Sequence, residues 1–116
     1  MKHLLVLLVV SACNQQPDAP PAAPAPEAMP AAEVKRGLDA CQAYVTKVCA
    51  CAEKLPAMKQ PCALARALPD AMTVAVDVAA NPESSRRDSR QSAGSVRSIV
   101  KNCIEETARL PAAGCP

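Results

Sequence analysis

Aromatic residues and histidine are almost missing from this sequence of 116 residues. There is no Phe and no Trp, the one aromatic residue is Tyr44, and the single histidine is His3. Removal of the extreme N-terminus would leave a chain without imidazole, which excludes Ser-His-Asp and Cys-His catalysis and histidine metal sites. A net charge of +2, with no aromatic residues interleaved among the basic ones to stack on bases, argues against a nucleic-acid-binding protein.

Catalytic motifs are equally scarce. Gly37, Gly94 and Gly114 are the only glycines, and they lie too far apart to form a phosphate-binding loop. The carboxylates are scattered and form neither an acid/base pair nor a calcium loop. The length allows only one small domain. We therefore expect a protein that is not an enzyme and that carries no cofactor.

The N-terminus has the features of an export signal. A short basic start is followed by an unbroken run of seven apolar residues, 4–10, then Ser11, Ala12 and Cys13. Seven helical residues span roughly 10 Å, whereas a bilayer core requires ~20 residues. The segment therefore predicts a cleaved signal peptide rather than a transmembrane helix.

The four residues Val10-Ser11-Ala12-Cys13 resemble the lipobox of bacterial lipoproteins. The resemblance implies that residues 1–12 are removed and that palmitate-type acyl chains on Cys13 anchor the protein to the membrane of the cell envelope. Because Asn14 rather than an acidic residue follows, it also implies the outer membrane, facing the periplasm or the surface. The alternatives are an ordinary signal peptide or an apolar N-terminal helix with a core cysteine.

A proline- and alanine-rich segment follows. Pro and Ala supply 13 of the 19 residues in 14–32, and no apolar periodicity is present. Such a composition predicts a disordered, extended linker, so that residues 13–32 form a tether that reaches on the order of 50–60 Å. A Pro-rich recognition ligand at Pro21 and Pro24 is the alternative.

Residues 33–116 predict an all-α domain, a small disulfide-stapled bundle of about three helices. Apolar residues recur at helical spacing, and Pro69 should kink or split the second helix near Leu68. Residues 74–78 alternate like a strand but have no second strand to pair with, so a helix is favoured. Asn81 is the predicted N-cap of the third helix. The predicted helices are 33–54, 60–80 and 82–109.

Seven cysteines minus the lipidated one leave six, an even number that is compatible with three disulfides. Side chains two residues apart on a helix point ~200° apart, so Cys49 and Cys51 should have different partners. If the second helix runs down and the third runs back up, and Cys115 folds back toward the first helix, the cysteines form a nested set of pairs. The predicted disulfides are Cys41–Cys115, Cys49–Cys103 and Cys51–Cys62.

Two features allow other interpretations. Cys49-Ala50-Cys51 is a C-x-C motif of the kind that holds soft metals or cycles between thiol and disulfide, although structural disulfides are favoured and no metal is predicted. A basic row on the third helix falls within ~60° of arc and could bind anionic lipid, polysaccharide or protein, or form a solvated face. That row consists of Arg86, Arg90, Arg97 and Lys101.

Taken together, these patterns predict an envelope-anchored lipoprotein whose domain is a non-catalytic binding or interaction module on a tether. One alternative is a soft-metal or thiol-redox carrier that uses Cys49 and Cys51. The other is a purely structural envelope component. The sequence does not indicate an oligomeric state.

Overall fold

The chain folds into an all-α bundle, as predicted. A computed structural model describes residues 20–21 and 28–116, so the predicted signal peptide, Cys13 and most of the predicted tether lie outside the described residues. No strand occurs in the part of the chain that the structure describes, and none of its helices is long and apolar enough to cross a bilayer. The helices are α1 (Ala31–Lys54), α2 (Lys59–Ala65), α3 (Leu68–Ala80) and α4 (Arg86–Arg109), with short 3-10 turns at Pro56–Met58 and Pro111–Ala113.

The predicted second helix is split into α2 and α3, as Pro69 indicated. Proline lacks a backbone N–H and is tolerated in the first turn of a helix, and Pro69 occupies that position in α3. The break between the helices consists of Arg66 and Ala67. Residues 74–78 are helical within α3, which confirms the choice of helix over strand.

The predicted start of the third helix is wrong by about one turn. Ser85, not Asn81, is the N-cap of α4, and its Oγ accepts a hydrogen bond from the backbone N–H of Asp88 at 3.1 Å. The Asn81 side chain instead closes a local turn, because its Oδ1 accepts from the N–H of Glu83 at 2.9 Å. A local hydrogen bond therefore competes successfully with helix capping at Asn81.

Helices α1 and α4 run parallel with a nearly constant register. Arg97 Nε donates to Glu33 Oε1 at 2.8 Å, and these residues are 64 positions apart. Further along both helices, disulfides join Cys41 to Cys103 and Cys51 to Cys115, at separations of 62 and 64. Helix α3 returns in the opposite direction and packs against both.

The core contains sulfur and aliphatic side chains where aromatic residues would normally lie. Its largest fully buried side chains are Met72, Val48, Val96, Cys41 and Cys103. A small core with a single aromatic side chain, Tyr44, buries little surface, so covalent links are needed for stability. The Cys41–Cys103 bridge, called here the core disulfide, provides one at the centre of the bundle.

The predicted disulfide pairing is wrong in all three bonds, although all six cysteines are paired. The predicted pairs are nested, because Cys41 joins Cys115 while the later Cys49 joins the earlier Cys103. This is the order expected if α1 and α4 were antiparallel. Because α1 and α4 are parallel, the earlier cysteine joins the earlier partner. The observed bonds are the core disulfide, Cys49–Cys62 (the groove disulfide) and Cys51–Cys115 (the C-terminal disulfide).

Candidate functional site

The predicted basic row on α4 is largely neutralised by other side chains. Arg97 is paired with Glu33, and Lys101 Nζ lies 3.7 Å from Glu105 Oε1 one turn along the helix. Arg86 has an interaction partner as well. Of the four predicted residues, Arg90 is the one without an interaction partner within the described part of the chain. The row therefore lies on one helix, as expected, but offers little unpaired charge to an anionic ligand.

The two sulfurs of the C-x-C motif are held in separate disulfides, which confirms that they have different partners. Cys49 is bonded to Cys62 in α2, and Cys51 to Cys115 beyond the end of α4. Soft-metal binding needs thiolates, and the sulfurs are oxidised here. Among the residues that the structure describes, no group of three or more His, Cys, Asp or Glu side chains is placed to hold a metal ion.

These two disulfides shape the surface around the second half of α1. Because Cys49 and Cys51 point to opposite sides of the helix, they fix α2 on one side and the C-terminal segment on the other. Between them α1 presents an outward ridge of mainly small side chains, Thr46, Ala50 and Glu53, which line a groove on each side.

The first groove lies between α1 and α2. It has a volume of about 570 Å³, and the groove disulfide lies in its wall. Ala50 and Ala63 contribute apolar surface, while Lys59 and Arg66 line it with positive charge.

The second groove lies between α1 and the C-terminal segment. Its volume is about 460 Å³, and its walls include Leu55, Gly114 and Pro116. Lys47 and Lys54 line this groove from α1. Each groove thus combines an apolar wall with two cationic side chains.

The cationic side chains of the two grooves form a surface that we call the distal basic rim. They are exposed, and none of them forms an ion pair or hydrogen bond with another described residue. Glu53 is the only acidic side chain that lines either groove. The predicted tether precedes α1, which begins at Ala31, and these residues lie toward the opposite end of the bundle. The distal basic rim consists of Lys47, Lys54, Lys59 and Arg66.

Sequence reasoning missed this rim, although a signal was available. The four residues are the only Lys and Arg between positions 37 and 85, and residues 40–69 contain one acidic residue, Glu53. The signal is a local excess of positive charge, not a helical period, because the residues belong to two helices and the turn between them. A search for a row along one helix therefore favours α4, where three of the four charges have interaction partners.

A third groove, of about 400 Å³, lies where α1, α2, α3 and α4 meet. Its walls include Tyr44, Leu64, Leu68, Asn102 and Glu106. Burial of the phenol, together with the nearby Glu106 carboxylate, raises the pKa of Tyr44 above its ordinary value. The phenol is therefore neutral at physiological pH. No lining residue of this groove is cationic.

No protein-family model matches the chain, and no curated protein or solved structure shows significant similarity to it. The case for a function therefore comes from the chain's own residues. The described residues provide open grooves with apolar walls and unpaired cations. Such a surface is suited to binding an anionic partner.

Proposed function

We propose that this chain is a bacterial lipoprotein, anchored to the cell envelope through acyl chains on Cys13. Its disulfide-stapled helical domain is a non-catalytic interaction module presented on a tether of residues 13–30, because α1 already begins at Ala31. The observation that carries the proposal is the cysteine pairing. The six cysteines of the domain pair with one another, and so Cys13 is left as the single cysteine outside these bonds, at the position that a lipobox requires.

Two physical arguments support the location. Three disulfides in a domain this small are typical of proteins that fold in an oxidising compartment, such as the periplasm. One acyl chain holds a protein only marginally on a bilayer, whereas the two or three of a lipoprotein anchor it firmly. Outer-membrane sorting rests on Asn14 and on the lipoprotein resemblance.

The interaction module is preferred over the two alternatives for specific reasons. A soft-metal or redox carrier would have to reduce the disulfides of Cys49 and Cys51, which hold α2 and the C-terminal segment in place. A purely structural component would have no need of four exposed cations without carboxylate partners. The structural role of these disulfides and the unpaired cations both favour a binding surface built on a permanently oxidised scaffold.

Anchoring is tested by expressing the full chain in a Gram-negative bacterium fed an alkyne analogue of palmitate. The wild type should incorporate the label and fractionate with membranes, whereas Cys13→Ser should lose both properties. Ser11→Ala is the matched control, because it keeps a small residue before the cysteine and should behave like the wild type.

The outcome that would contradict anchoring is a Cys13→Ser protein that is labelled and membrane-bound to the same extent as the wild type.

Sorting has its own test in the same cells. Asn14→Asp should move the labelled protein from outer-membrane to inner-membrane fractions on a density gradient. An unchanged distribution would remove the outer-membrane assignment and leave the anchor intact.

A further inference from the structure

We propose that the two grooves and the distal basic rim bind an extended acidic segment of a protein partner. The partner's carboxylates would meet the rim, and its apolar side chains would enter the grooves on either side of α1. This inference deepens the interaction-module proposal and rests on it, since it names the surface and the class of partner.

The distribution of charge carries the first step. Elsewhere on the described surface, several cations are matched with carboxylates, as in Lys35–Asp39, Arg97–Glu33 and Arg109–Glu106, whereas Arg36, Arg87 and Arg90 are not. The four rim cations have no such partners, so a positive potential extends into solvent at this end. A complementary acidic segment would be steered to it and would replace the missing intramolecular pairs.

The shape of the surface carries the second step. Groove volumes of about 570 and 460 Å³ lie within the range of binding sites, but both grooves are open. Ala50 at the crest of the ridge lets a backbone cross α1 closely. A helix is ~10 Å wide, and an extended chain advances ~3.3 Å per residue, so the grooves would receive side chains about three to four residues apart. The expected motif is two apolar residues at that spacing, flanked by Asp or Glu.

Position in the fold favours a protein partner over a lipid surface. Helix α1 has 24 residues and is therefore ~36 Å long, and the tether joins its first residue while the rim lies along its second half and beyond. The rim is thus at the end far from the tether. A charged polysaccharide is disfavoured because neither groove is lined by an aromatic side chain on which a sugar ring could pack.

The test uses the full chain, purified in neutral detergent with its disulfides intact, to select binders from a random dodecapeptide display library. Enriched peptides should be acidic, with apolar residues three to four positions apart. Their dissociation constants are then measured by fluorescence anisotropy against two charge-matched variants. The rim variant carries Lys47→Gln, Lys54→Gln, Lys59→Gln and Arg66→Gln, and the α4 variant carries Arg87→Gln, Arg90→Gln, Arg97→Gln and Lys101→Gln.

The rim variant should bind about tenfold more weakly or worse, because several modest exposed ion pairs are lost together, and the α4 variant should stay within about twofold of the wild type. Both variants should keep the helical circular dichroism of the wild type. Equal weakening in both would show that only net charge matters and would overturn the proposal. So would enrichment of non-acidic peptides, or tighter binding to phosphatidylglycerol vesicles or polygalacturonate than to any selected peptide. Because no membrane anchor is needed for this binding, its failure is distinguishable from failure of acyl labelling.

Discussion

Two glycines in helix interiors should respond in opposite ways to the same substitution. Gly37 is buried in α1, where a Cβ would lie 2.6 Å from Val100 Cγ2 and 2.8 Å from Met72 Cε. Gly94 is exposed in α4, and a Cβ there would meet nothing within 4 Å. We expect Gly37→Ala to destabilise the domain relative to Gly94→Ala, which should stabilise it.

The magnitude follows from two contributions. Alanine is favoured over glycine in a helix interior by about 0.5–1 kcal/mol, and this gain applies at both positions. At Gly37 the new methyl also overpacks the core, which typically costs about 1–3 kcal/mol. Met72 is flexible but fully buried, and the β-branched Val100 has little rotamer freedom, so neither neighbour yields easily. The helix contributions cancel in the comparison, and the two variants should differ by about 1–3 kcal/mol.

The assay is urea denaturation of the oxidised protein followed by circular dichroism, with thermal unfolding as a second measurement. For a domain of this size, 1 kcal/mol corresponds to a shift in Tm of about 4–8 °C. Adding Val100→Ala to Gly37→Ala removes the closest methyl, so the two substitutions should cost less together than the sum of their separate effects. If Gly37→Ala were as stabilising as Gly94→Ala, the close packing of α1, α3 and α4 at this point would be refuted.

Two further predictions concern the disulfides and the buried phenol. Full reduction should abolish much of the helical circular dichroism. Alanine at both cysteines of the core disulfide should cost roughly 4 kcal/mol in urea denaturation, against roughly 3 for the groove disulfide, because the bonds close loops of 62 and 13 residues. Equal denaturation midpoints for the two variants would contradict this order. Burial, and secondarily Glu106, raises the pKa of Tyr44 above 10.0 in the folded state. The neutral phenol therefore contributes fully to the stability of the folded protein below about pH 10, and this contribution declines as the pH rises further. Thermal midpoints measured from about pH 8 to pH 11 should therefore fall more steeply for the wild type than for Tyr44→Phe, and parallel curves would show that the phenol is not responsible.

Most of the helical structure could be predicted because its causes are local. The period of the apolar residues places α1 and the second half of α4, and the missing N–H of Pro69 accounts for the break between α2 and α3. Even the misplaced start of α4 has a local cause, a choice between two capping residues four positions apart. Lipidation of Cys13 and the extended tether remain predictions.

The candidate site could be predicted only in part. The geometry of one helix is enough to show that Cys49 and Cys51 face opposite ways and have different partners. Which partners they have depends on how far α4 is shifted along α1. A charged row likewise becomes a binding surface only if its charges stay unpaired, and it is the approach of Glu33 in α1 that neutralises Arg97 in α4.

The sequence by itself therefore determined the class of fold, the positions of the helices, the even number of cysteines in the domain and the expectation of a lipid anchor. These properties follow from periodicity, proline chemistry and composition, all of which act over a few residues. Only the tertiary structure decided the three disulfide bonds, the two grooves and the location of the unpaired charge. The core and C-terminal disulfides depend on the parallel register of α1 and α4, a relation between residues more than sixty positions apart that no local pattern encodes.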